Sequence, residues 1–383
     1  MSHSPANRHE LIALVRQWHQ DAIPWIPSGQ GQHLDWGPPL NSDHAVLSCR
    51  SLNRVIDHAV DDLTITVEAG LPLNTLQELL AEQGQWLPVD WPRGGSAGSI
   101  GGLVARGLAG GLRQRHLAIR DQLIGIGLLR SDGIAAKAGG RVVKNVAGYD
   151  LMRLLCGSWG SLALITEVTL RLQPIRPVHA LLQLQGSLSG QELFRADLLR
   201  STLTPERCDW QCSGDGTWRL QLLISSVSDQ AVEDQLSRLE QLALSHGLDA
   251  ERHPCADPLA ASLGCSAPTW LVRLVMPPAQ LNPLLSSAAF KALQGWSWDL
   301  AAGAGCGDGW SSNNSPEYQV ELLRQHVLKQ GGQLTLLKRP EGSTLPVWLD
   351  RPAKPIIEAV KRRFDPLQQL SRGRLPGVNQ ERA

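Results

Sequence analysis

The sequence predicts an α+β fold, and three observations carry that expectation. Short alternating runs of β-branched and aliphatic residues interleave with amphipathic stretches along the whole chain. Glycine clusters punctuate the N-terminal half without the Gly-x-Gly-x-x-Gly spacing that opens a doubly wound sheet. Pro174 and Pro177 then mark a change of texture near residue 178, beyond which strands and helices alternate as in a sheet covered by helices on one face.

Taken in order, residues 8–20 place Leu11, Ile12, Leu14, Val15 and Trp18 at helical spacing, so a surface helix follows. AIPWIPSGQGQ is a short strand running into a glycine turn at Gly29 and Gly31. Residues 45–70 read as strand, helix and strand, the last over 63–68 with β-branched alternation. Residues 73–84 form an amphipathic helix capped at Asn74 and stopped by Gly84. Residues 122–129 pair with 134–137 in a hairpin turned at Ser131, Asp132 and Gly133. DLMRLL supplies a short helix, and 162–172 alternate as a half-buried strand that the prolines stop.

Beyond them, strands are expected at 180–184, 218–223, 270–276, 296–301 and 333–337, and helices at 191–199, 230–246, 281–293 and 315–330. The glycine run at 301–310 reads either as a plain loop or as backbone able to approach a ligand closely. A helix, PIIEAVKRRF, precedes the ending FDPLQQLSRGRLPG.

Composition narrows the function classes. The chain has 383 residues, with Lys+Arg and Asp+Glu both at 36, so nothing electrostatic points to nucleic acid or an anionic membrane. No apolar run approaches the roughly 20 residues that cross a bilayer, and the opening MSHSPANRHE lacks the order of a secretory signal, so a cytosolic chain is expected. Seven cysteines scattered from Cys49 to Cys306 suit reduced thiols. Cys208 and Cys212 lack a second pair to complete a metal site, so no metal is expected.

The chain turns on residues 88–106, PVDWPRGGSAGSIGGLVAR, where five glycines crowd into nine residues and give way to an apolar run. Glycine lets successive amides turn together toward an anion, and a helix from Leu103 onward would present its first free N–H groups to the same ligand. A phosphate or pyrophosphate is the natural occupant, and a close-packed turn is the bland alternative. A diphosphate held this way needs little formal charge, with Lys144 or Arg93 assisting.

Together, TITVEAGLPLNTLQELLAEQGQWLPVD, AGSIGGLVARG, IRDQLIGIGLL, KNVAGYDLMRLLCGSWGSLALITEVTLRLQP and the ending FDPLQQLSRGRLPG resemble the vanillyl-alcohol-oxidase, or PCMH-type, FAD-binding fold. Within it, the resemblance is nearest to the FAD-binding E subunits of glycolate dehydrogenases (glycolate oxidases). It implies a two-subdomain FAD-binding PCMH-type domain over 1–178, an α+β cap domain with an antiparallel sheet over 179–350, and a segment over 351–383 that returns to the FAD domain. Noncovalent FAD would lie between the subdomains, under the cap.

Carried onto this sequence, Pro27, Ser28, Gly29, Gln30, Gly31 and Gln32 would form the first pyrophosphate loop, with Gln32 where relatives commonly have a serine or threonine. Gly94, Gly95, Ala97, Gly98, Ser99, Ile100, Gly101, Gly102 and Leu103 would form the second. Lys144, Asn145 and Gly148 would sit near the pyrophosphate and ring, while Gly157, Ser158 and Gly160 lead into Ile165, Thr166 and Glu167 near the adenosine and flavin.

Oxidation of a 2-hydroxy acid needs a cation for the carboxylate and a base for the hydroxyl proton. Lys338 and Arg339, closing the last cap strand, are the candidates, or else ordinary strand-end charges; His246 and His326 are more simply structural or solvated, and His253 falls in a loop, RHPCADP, with no role assigned. Three functions stay open. The chain is an FAD subunit working with a second FAD subunit and an iron–sulfur subunit on glycolate, either free in the cytoplasm or membrane-peripheral through a partner; or a self-sufficient D-lactate or 2-hydroxy-acid dehydrogenase; or an assembly subunit whose flavin is structural. It has no Cys-x2-Cys-x2-Cys run, so a cluster would belong to a partner.

Overall fold

The computed structural model describes residues 2–40, 43–90, 98–140, 150–255 and 268–379. The residues fold into two lobes, each built on its own sheet. In the first, β1 (Ser2–His3), β2 (Trp25–Ser28) and β3 (Ala45–Ser48) make a small parallel sheet in the order β1-β3-β2. The helix Arg8–Gln20 covers it, capped by the Asn7 side chain and burying Leu11, Val15 and Trp18.

A second sheet in the same lobe contains β4 (Val55–Ala59), β5 (Thr64–Glu68), β7 (Leu123–Leu129), β8 (Ala135–Gly139) and β9 (Leu164–Arg171), antiparallel in the order β4-β5-β9-β7-β8. The small pair β6 (Gln85–Trp86) and β10 (Gln173–Pro174) ties its far end. Residues 55–59, expected as helix, are strand β4. The Asp61-Asp62 turn folds this β-branched run back on β5, and that pairing outweighs the weak helical spacing. Helix Leu73–Ala81 buries Leu73, Leu76 and Leu80 as expected, but its cap position is Pro72 rather than Asn74.

The second lobe is one eight-stranded antiparallel sheet of β11 (Val178–Gln185), β12 (Arg207–Ser213), β13 (Arg219–Ser226), β14 (Asp249–Pro254), β15 (Trp270–Val275), β16 (Ser297–Ala301), β17 (Cys306–Ser311) and β18 (Gln333–Lys338). Their order is β14-β11-β13-β12-β16-β17-β15-β18. Helices Leu188–Arg200, Asp229–Ser245, Leu281–Ser286 and Glu317–Lys329 pack on one face. There Trp210, Trp270, Trp296 and Trp298 share a core with Phe290, which gives several of the chain's 13 tryptophans a packing role.

Strict alternation puts Cys208, Trp210 and Cys212 in that core and turns Arg207, Asp209 and Gln211 to the other face. Asp299, Asp308 and Arg273 share that face by the same rule, and it looks toward the first lobe. The glycine run at 301–310 is half turn and half strand: residues 302–305 make the turn between β16 and β17, and 306–310 lie in β17. A side-chain carbon on Gly309 would strike the Trp298 ring of the neighbouring strand, so the glycine there makes room for an indole.

After the second sheet the chain returns. Helix Lys354–Phe364 buries Lys361, whose Nζ donates to the carbonyls of Ser161 (2.7 Å) and Leu370 (2.6 Å) and pairs with Asp365. Residues 369–371 bond the first sheet directly, Trp25 N donating to Gln369 O and Ser371 N to Trp25 O. Among the described residues, no helix is long and apolar enough to cross a membrane.

Candidate functional site

Strand β2 delivers the first glycine turn. The carbonyls of Ser28, Gly29 and Gln30 accept from Cys49 N (2.7 Å), Ser48 Oγ (3.3 Å) and Arg50 Nη2 (3.1 Å), which turns them away from the space the turn encloses. The amides of Gly29, Gln30 and Gly31 donate to no described residue, and Gly31 holds φ at +82°. Successive amides left unbonded in a glycine turn are what an anion-binding nest requires.

The second turn lies directly against the first: a side-chain carbon on Gly29 would collide with Ser99 Oγ. Here the structure differs from expectation in one physical respect. The helix begins at Ile100, not Leu103, and spans Ile100–Arg106. Its first amides are already bonded, Ile100 N to Leu71 O, Gly101 N to Ala69 O, Gly102 N to Ser99 Oγ and Leu103 N to Ser99 O. This short helix therefore has no free N–H groups at those four positions to offer a ligand.

The two turns and the loop at 157–160 line one cavity. Gly157 (φ +82°), Trp159 (φ +54°) and Gly160 (φ +66°) coil tightly, with Gly157 N and Trp159 N donating to the carbonyls of Val104 and Ala105. Pro27 through Gln32, Gly98, Ser99, Gly101, Gly102, Gly160 and Ile165 all reach this cavity. Ile100 and Leu103 sit in the core beneath it. Gly157, Ser158, Thr166 and Glu167 stand outside its lining; Glu167 pairs with Arg8 and Lys137. Arg93, Gly94, Gly95, Ala97, Lys144, Asn145 and Gly148 lie outside the described residues.

Two arginines that no motif singled out also line the cavity. Arg374, from the returning segment, donates Nη1 to Leu34 O at 3.2 Å, and burial lowers its pKa to about 10. Arg106 lies over the Trp36 ring at 5.3 Å, and burial likewise lowers its pKa to about 10. Both stay charged at neutral pH. The only sequence signal for Arg106 was its place at the end of the glycine-rich helix.

Past Arg106 the space continues into a cleft between the lobes, lined by Asp90, Arg207, Arg273, Asp299 and Asp308. Each arginine of the second lobe here is already paired: Arg207 Nη2 with Asp209 Oδ2 at 2.6 Å, Arg273 Nη1 with Asp308 Oδ1 at 3.0 Å. Asp90 caps the amides of Gly110 (2.6 Å) and Leu112 (3.3 Å). Burial pushes the Asp209 carboxyl up to about 7; Arg207 opposes the rise, and Asp299 and Asp90 add to it.

Lys338 and Arg339 reach neither space. Lys338 Nζ pairs with Asp35 at 2.9 Å, and Arg339 Nη1 donates to Leu345 O. His246 pairs with Asp197, His253 lies in β14 rather than in a loop, and His326 contacts Gln330. Cys208 and Cys212 are buried free thiols in the second lobe's core.

A dinucleotide with a diphosphate bridge fits what is present. Unbonded amides line one wall of the cavity, Gly29 lets its two turns touch at Ser99, and buried guanidinium nitrogens of Arg106 are left without partners among the described residues. Residues 3–139 match the family described as an FAD binding domain. The chain is 36% identical over 182 residues to glycolate oxidase subunit GlcE of Escherichia coli (strain K12), covering 48% of this chain and 51% of that one. It is 36% identical over 180 residues to D-2-hydroxyglutarate dehydrogenase of Xanthomonas citri pv. viticola, 46% of this chain and 38% of that one. To glycolate oxidase subunit GlcD of Bacillus subtilis (strain 168) it is 28% identical over 204 residues, 53% and 43% of the two chains.

The matched region thus spans about half of these curated relatives or less. The fold of the whole chain is shared with alkyldihydroxyacetonephosphate synthase, at a TM-score of 0.73 and 15% identity over 96% of this chain and 75% of that one. Residues 3–139 of this chain are therefore an FAD-binding domain of the PCMH type, and its cofactor is FAD.

Proposed function

We propose that this chain is the FAD-binding subunit of a 2-hydroxy-acid dehydrogenase complex, with glycolate or a similar short hydroxy acid as substrate. Bound FAD supplies the two-electron acceptance. The chain's residues hold the nucleotide between the two glycine turns and shield it with the second lobe. Two relatives are by name subunits of glycolate oxidase, and another is by name a dehydrogenase of a D-2-hydroxy acid, which supports the reaction class.

The observation that carries the subunit reading is the charge of the interlobe cleft. Three lining aspartates, Asp90, Asp299 and Asp308, stand with Arg207 and Arg273, both already paired to carboxylates, and with Arg106 where the cleft meets the glycine turns. A substrate carboxylate seeking Arg207 or Arg273 would have to displace a buried aspartate, which is costly, and Arg106, the lining arginine without an ion pair among the described residues, stands on the side of the glycine turns. That wall favours a chain whose flavin takes part in electron transfer while a second FAD subunit binds the hydroxy acid and an iron–sulfur subunit passes electrons on.

Anaerobic mixing with glycolate and D-lactate, followed through the flavin absorbance, tests this. The isolated chain is expected to keep its absorbance, and to bleach when co-purified with its partners. Full bleaching of the isolated chain would favour a self-sufficient dehydrogenase instead.

A further inference from the structure

Arg106 stands where the loop-bounded cavity opens into the interlobe cleft, and it lines both. Its Nε and Nη2 are buried, and neither has a hydrogen-bond partner among the described residues. No described carboxylate forms an ion pair with it, although Asp90, Asp299 and Asp308 line the same cleft. A buried guanidinium left this way is destabilising unless an anion arrives to meet it.

Position says which anion. The side chain of a helical residue leans toward the helix N-terminus, and Nη2 stands 3.7 Å from where a side-chain carbon on Gly98 would be. Gly98 belongs to the second glycine turn, which abuts Gly29 of the first through Ser99. The guanidinium therefore sits at the junction of the two turns. The four amides at 100–103 that would otherwise answer a negative charge there are spent on Leu71, Ala69 and Ser99. The Trp36 ring beneath the guanidinium holds its plane without neutralising it.

We propose that Arg106 is the cation that receives the diphosphate of FAD, forming charge-assisted hydrogen bonds in place of the bonded helix amides. The proposal rests on the cavity being the FAD site. It assigns the formal charge to one side chain, where the glycine motif alone implies a purely dipolar cradle.

The full chain, stripped of flavin, is titrated with FAD, with ADP as a probe of the phosphate-bearing half, and with riboflavin, which has no phosphate. Arg106→Gln is expected to weaken FAD and ADP binding by about 10- to 100-fold. Riboflavin binding stays unchanged, and the salt dependence of FAD affinity flattens. The flavin-free variant is expected to melt higher than the flavin-free wild type, because an unpaired buried charge has gone. Arg106→Lys is expected to recover part of the affinity.

FAD and ADP affinities within about twofold of wild type, with a displaced flavin midpoint potential, would put the guanidinium at the ring and overturn the assignment. An unchanged salt dependence of FAD affinity in Arg106→Gln would overturn it too, by showing that the charge does not meet the phosphates. Failure of the wild-type chain to take up FAD at all would instead sink the cofactor site on which the proposal depends.

Discussion

Each glycine of the central stretch has its own reason to be glycine, and the reasons differ. Gly29 lets the two turns touch, whereas Gly101 lets the helix pack on β5: a side-chain carbon there would lie 2.6 Å from Ala69 Cβ and 2.8 Å from its carbonyl oxygen. Gly101→Ala is accordingly expected to cost about 1–3 kcal/mol in thermal unfolding of the flavin-free chain. It should also lower FAD uptake by shifting Ser99. Unchanged stability would mean that the helix has room to move. The cluster was legible in the sequence as a glycine turn, although a close-packed turn with no ligand reads the same way. Arg106 and Arg374 were not, since nothing local distinguishes a buried arginine from a solvated one; burial depends on what other segments bring over it.

Elements were legible where alternation was carried by aliphatic residues, as in β5, β7 and β9. They were missed where one face of the strand is charged. RCDWQCS of β12 alternates as strictly as any strand, but its Arg207 and Asp209 read as surface until another lobe covers them. In β17 the glycines concealed a strand that needs them for the Trp298 ring. The helix Lys354–Phe364 was expected, but its anchor was not: Lys361 is buried against two carbonyls and Asp365. Lys361→Ala leaves the Asp365 carboxylate buried without its cation and is expected to cost about 3–5 kcal/mol in denaturant unfolding. It should also expose the returning segment to proteases. A loss under about 1 kcal/mol would show that Ser161 and Leu370 hold that segment without the ion pair.

At the scale of the whole molecule, the lobes meet across a layer of paired charge beside a small apolar cluster in which Trp36 packs with Leu271, Trp310 and Leu337. Asp209 is the sensitive member. Its carboxyl is raised from the ordinary 3.8 to about 7, and Oδ1 has no hydrogen-bond partner among the described residues. Between those values the folded chain holds more protons than the unfolded one, so this group's contribution to stability falls as pH rises through that window. Asp209→Asn removes the loss while keeping an acceptor for Arg207. Its thermal midpoint should gain on wild type as pH rises from about 4 to about 7. An identical pH profile in both proteins would show that Asp209 stays ionised throughout.

The backbone of Trp25 is bonded on one side only by residues 369–371, and Arg374 completes the cavity from the same segment. On a ribosome, the nucleotide-holding lobe therefore remains unfinished while more than a hundred residues of the other lobe emerge and fold. Nucleotide capture is tied to the late arrival of a short tail segment. Nascent chains halted before that segment should pass through the cell without their yellow colour.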